Sequence, residues 1–70
     1  MSSYTSAQLH DATHRLDDRT TAMAKLLNDM LPDAFKLGIE KEFDAVTHAL
    51  TAFHARLTER HAETLREMQN

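Results

Sequence analysis

Seventy residues with a formal charge of −3, a single Gly, a single Pro and no Cys exclude several classes of protein at once. So short a chain forms one domain at most, and without cysteine it has neither disulfides nor thiolate metal sites to reinforce a small core. With 41% hydrophobic and 27% charged residues, it is too apolar for disorder and too poor in turn formers for a β-protein, which leaves the all-α class.

The first element opens on MSSYTSAQL. Thr5 is placed to accept from the backbone N–H of Gln8 while the Gln8 amide reaches back to the Thr5 N–H, and Tyr4 and Leu9 hold the two positions of a hydrophobic staple. Leu9, Leu16, Met23 and Met30 then recur every seven residues, with Ala12, Leu26 and Leu27 beside them and Arg19 and Thr20 interrupting the second row. This pattern predicts a helix over about 6–30.

The stretch LPDAFKLG holds the only Pro and Gly of the chain. Pro32 disfavours helical geometry at Leu31 and removes a backbone donor, and Gly38 suits a left-handed cap. A bend is expected over 31–38, and a plain loop or a short helical turn over 33–37 both satisfy it. From 39 to 68 a second helix is predicted, because Ile39, Phe43, Val46, Leu50, Phe53 and Leu57 alternate steps of four and three. Beyond Leu57, His61 bridges to Leu65 in two successive steps of four before Met68, a stutter that relaxes a left-handed supercoil.

The two apolar rows share one fold-back point. Leu9 falls level with Arg60, Leu16 with Phe53, Met23 with Val46, Met30 with Ile39, Ala12 with Leu57 and Leu26 with Phe43. The expected fold is therefore an antiparallel, coiled-coil-like two-helix hairpin over the whole chain. Such a hairpin leaves half its seam in water, so a homodimeric four-helix bundle is the economical assembly. The expected dimer interface comprises Ala45, Ala49, Ala52, Phe43, Leu50, Phe53 and Leu57. Leu31, Phe35 and Leu37, together with Leu27, exceed what one seam consumes and form an expected docking patch for a further, unidentified protein.

Histidine spacing supplies the one chemical motif. His10 and His14 lie four apart with Asp17 or Asp18 about one turn on, a geometry used for zinc and other divalent ions, with Asp17 the candidate carboxylate. His54 and His61 fall at the same end of the hairpin. Two imidazoles on the outward side of a helix are otherwise an ordinary solvated face, and no metal or other cofactor is assigned. His54 and His61 at an interface edge also invite a pH-switch reading. Glu40, Glu42 and Asp44 need only the dipole of the second helix to explain them.

No nucleophilic Cys, glycine-rich phosphate loop or serine elbow is present, so no enzymatic activity is expected. The acidic balance and interspersed signs argue against nucleic acid, although Arg15, Arg19, Arg56 and Arg60 share one region. No run approaches a membrane span and the opening residues lack a signal-peptide core, so a cytoplasmic protein without membrane contact is expected. The leading functional expectation is a non-enzymatic protein–protein interaction module, an adaptor, chaperone or inhibitor. The alternatives are a metal- or pH-sensing bundle and a ROP-like nucleic-acid-binding regulator, and hairpin shape does not choose among them.

Overall fold

The computed structural model describes residues 3–69. Helix α1 spans Ser6–Leu37 and helix α2 spans Glu40–Gln69. They pack against each other as an antiparallel hairpin with extents of 51 × 18 × 17 Å. Among the described residues there is no strand, and neither helix is long and apolar enough to cross a membrane.

The capping box is formed as the sequence predicts. The Gln8 N–H donates to the Thr5 hydroxyl at 3.1 Å, and the Thr5 N–H donates to the Gln8 side-chain carbonyl at 2.9 Å. Tyr4 and Leu9 border one shallow cleft beside it. Two of the four orphan donors of the first turn are thereby satisfied, and the start of α1 is fixed.

The expected bend over 31–38 is corrected by the structure. Helix α1 does not end near Met30 but runs through Pro32 to Leu37. Pro32 is exposed, so its ring meets solvent, and the Asn28 carbonyl that loses its partner is on an exposed residue. Beyond the proline, Ala34 is buried and holds the last turns of α1 against α2. Packing thus outweighs a local cost of about 3 kcal/mol for an interior proline.

The reversal is made by Gly38 and Ile39. Gly38 adopts φ 72° and ψ 25°, and its N–H donates to the Phe35 carbonyl at 3.2 Å while the Ile39 N–H donates to the Ala34 carbonyl at 3.0 Å. These two bonds are a Schellman motif, which needs a left-handed residue at its centre. The Phe43 N–H donates to the Ile39 carbonyl, so α2 starts without a spacer. A Cβ at Gly38 would meet nothing within 4 Å, so a side chain there brings conformational strain and no clash. Gly38→Ala is expected to lower stability by about 1 kcal/mol, and Gly38→Asn by less, in urea melts at fixed protein concentration.

Moving the fold-back point about one turn along the chain changes which residues meet. The buried residues of α1 are Thr13, Thr20 and Ala34, with Leu27 half-buried between them at the same seven-residue spacing. On α2 the matching row is Phe43, Leu50, Leu57 and Thr64. Counting outward from Gly38–Ile39 sets Ala34 opposite Phe43, Leu27 opposite Leu50, Thr20 opposite Leu57, and Thr13 opposite Thr64. The levels read from the sequence, Leu16 with Phe53 and Met23 with Val46, are therefore not those of the intrachain seam. Those residues lie one step around each helix, and their side chains are exposed.

Threonine makes much of this seam. Thr13 donates to the Leu9 carbonyl, Thr20 to the Leu16 carbonyl and Thr64 to the Arg60 carbonyl, at 2.9, 2.6 and 3.1 Å. Each buried hydroxyl is satisfied within its own helix, leaving its methyl for the neighbouring helix. Arg60 is a surface residue by chemistry, ion-paired to Glu63 and Glu67 and donating to Thr64.

Candidate functional site

The hairpin has two broad faces of opposite character. On one side of the seam run Leu9, Leu16, Met23 and Met30 of α1 beside Ile39, Val46 and Phe53 of α2. In an antiparallel pair, rows one step to the same side of each helix's seam fall on the same broad face. Leu16 is 43% exposed, Met23 50%, Met30 53%, Ile39 48%, Val46 52% and Phe53 46%. Leu26 and Ala49 widen the strip outward and are also exposed.

The area of the chain measures how unusual this is. A folded monomer of 8.0 kDa is expected to expose about 4,450 Å². This one exposes 5693 Å², an excess of about 1,200 Å² on that scaling. A standard interface removes about 800 Å² from each partner, and obligate dimers remove more. The excess is thus the size of one dimer interface, and it comes with a strip of large apolar side chains in place.

Several residues expected at a dimer interface prove to be occupied within the chain. Leu57 is only 9% exposed and Phe43 and Leu50 are half-buried, all three on the seam row against α1. Phe53 and Ala49 lie on or beside the open apolar strip. Ala45 and Ala52 are exposed further around α2, away from both.

The opposite face is polar, with a groove at the bend end. Leu31 and Phe35 line that groove with Leu27, Phe43, Leu50 and Thr47. Leu37, the third residue of the expected docking patch, is exposed but stands apart from the groove lining. At the open end of the same face, His10, His14 and His61 come together. The His10 and His14 Nε2 atoms are 3.1 Å apart, and the His61 ring centroid lies 5.4 Å from that of His10 and 5.7 Å from that of His14. Asp17 borders the cleft that His14 and His61 line. It pairs across the seam with His54, Nε2 to Oδ1 at 3.2 Å.

Sequence spacing found the His10–His14 pair and placed His54 and His61 at its end. It missed the Asp17–His54 contact, because spacing along one helix does not say which side chain of the other turns toward it. Among the described residues, no group of three or more His, Asp or Glu could hold a metal ion as the side chains stand.

The basic residues do not form a free stripe. Arg56 pairs with Glu59 and Glu63, Arg60 with Glu63 and Glu67, and Arg19 donates to the Arg15 carbonyl. Cations so interleaved with carboxylates are poorly placed to displace counterions from a phosphate backbone. No family model matches the chain, and neither a curated protein nor a solved structure matches it significantly.

Proposed function

We propose that this chain is a non-enzymatic protein-interaction module that works as a homodimer, two hairpins pairing through their apolar faces into a four-helix bundle. The observation that carries the reading is the strip formed by Leu16, Met23, Met30, Ile39, Val46 and Phe53, exposed along both helices on one face. The partner on this strip is a second copy. The single chain has only Ala34 and Leu57 as buried apolar residues among those described, and ordering costs about 1.5 kcal/mol per residue. A chain so poorly cored needs a covering surface whenever it is folded, and its own copy is always at hand.

In that assembly the polar face and the bend remain outward. The groove lined by Leu31 and Phe35 is then the feature through which an adaptor, chaperone or inhibitor would hold its client. The pairing of Arg56 and Arg60 with carboxylates weighs against the nucleic-acid alternative.

Sedimentation equilibrium over a wide concentration range, with helicity followed in the same samples, tests the proposal. The expected result is a highly helical species of twice the 8.0 kDa chain mass. A chain that stays monomeric at all concentrations overturns it. If that monomer is also poorly helical, the apolar face is made for a different chain.

A further inference from the structure

We propose that the open end of the hairpin is a divalent-metal site of the imidazole class, suited to zinc, in which His10 and His14 chelate the ion from α1 and His61 closes on it from α2. The proposal rests on the cluster alone and does not depend on the dimer.

The geometry of the α1 pair carries the first step. Zinc bound tetrahedrally by imidazole at about 2.0–2.1 Å holds its nitrogens about 3.3–3.4 Å apart. The Nε2 atoms of His10 and His14 stand at 3.1 Å, within a few tenths of an ångström of that edge. Without metal, so short a contact needs one ring to donate and the other to accept. An ion between them replaces that shared proton and uses both lone pairs.

His61 supplies the second step. A bound imidazole sets its centroid about 3.2 Å from the ion, so two rings on one tetrahedral centre have centroids about 5.2 Å apart. The three separations here are 4.5, 5.4 and 5.7 Å, and the ring planes are tilted by 83°, 40° and 83°, so the rings are not stacked. As the side chains stand, no group of three His, Asp or Glu among the described residues could hold a metal ion, so the site forms only on a change of the His61 rotamer. Binding requires that ring to turn, which its half-buried position permits. Water completes the coordination.

Two further features set the strength. Asp17 lines the same cleft as His14 and His61 and is held there by His54, so its carboxylate adds negative charge to the cleft. The Nδ1 atom of His10 is buried without a hydrogen-bond partner. Metal-ligating histidines ordinarily donate from the second nitrogen to fix the ring. Lacking that support on His10, the site should bind at micromolar rather than nanomolar concentrations. Because α1 and α2 are both ligated, occupancy clips the end of the hairpin farthest from Gly38.

Calorimetric titration of zinc chloride into the full chain, paired with thermal melts followed by circular dichroism, tests this. The expected result is one ion per chain with a raised melting midpoint. His14→Ala should weaken binding by about 100-fold and His61→Ala by about tenfold, the latter also abolishing most of the thermal shift. His48→Ala should change nothing, since His48 pairs with Asp44 elsewhere on α2. Imidazole resonances of the unmutated chain give a second readout: those of His10, His14 and His61 should shift on adding zinc and that of His48 should not. No heat at submillimolar zinc overturns the proposal. So does binding and thermal shift unchanged in His61→Ala, or an equal loss in His48→Ala.

Discussion

Replacing Phe53 by Glu is expected to leave the chain monomeric at concentrations where the unsubstituted protein is a dimer. Phe53 lies near the middle of the apolar strip, next to Val46 along α2 and level with Met23 across the seam, yet it is 46% exposed in the single hairpin. The substitution should therefore cost the intrachain seam little and act through the dimer contact, with helicity falling as the covering surface is lost. In a two-fold dimer it enters the interface twice, removing two aromatic side chains and burying two carboxylates without partners. Each uncompensated charge costs several kcal/mol, and 1.4 kcal/mol is a factor of ten, so the dissociation constant should rise by about 1,000-fold or more. Thr51→Glu, on the opposite flank of α2, should leave it near its original value. A Phe53→Glu chain that dimerises as before would mean the strip is not the interface.

What could be read from the sequence divides along physical lines. The N-terminus of α1 was legible because a capping box is a local signal: Thr5 and Gln8 satisfy each other whatever the rest of the chain does. The existence of two amphipathic helices was legible because seven-residue recurrence is strong over 25 residues and more. The register was not. Apolar counting selects Leu16, Met23, Val46 and Phe53, the largest hydrophobic rows, and those rows face outward.

The seam actually used is built on Thr13, Thr20 and Thr64, which a hydropathy count treats as polar. Their hydroxyls return to their own helices, so in the packed hairpin they behave as small branched apolar residues. The error was compounded at Pro32, whose penalty is real but local, while the left-handed Gly38 marks the true reversal. A chain with two apolar rows per helix offers two possible seams, and the loop decides which becomes the hairpin and which is left for another molecule. For the histidine cluster, spacing within α1 gives His10 and His14, but which α2 side chains turn toward them is set by packing across the seam, so the approach of His61 to that pair and of His54 to Asp17 is not readable from spacing alone.

Leu57→Ala is expected to unfold the hairpin at room temperature, and its rescue will report the register directly. Leu57 is the one large aliphatic side chain that α1 covers almost completely, at 9% exposure. Truncating a buried leucine costs about 2–5 kcal/mol. Small single domains hold little more than that in reserve, so helicity should be lost at micromolar chain concentrations. Phe53→Ala should behave differently: stability lost through the dimer contact returns by mass action as concentration rises, whereas a cavity in the hairpin seam persists in every state. The seam set by Gly38–Ile39 puts Thr20 opposite Leu57, and the fold-back point read from the sequence puts Ala12 there instead. Thr20→Leu combined with Leu57→Ala refills the lost volume across the first seam, and Ala12→Leu combined with Leu57→Ala would refill it across the second. Helicity and melting midpoint should recover in the Thr20 double variant and not in the Ala12 one. The opposite outcome would mean that the hairpin closes about one turn earlier, near Ala34 and Phe35, with the threonine row turned to solvent.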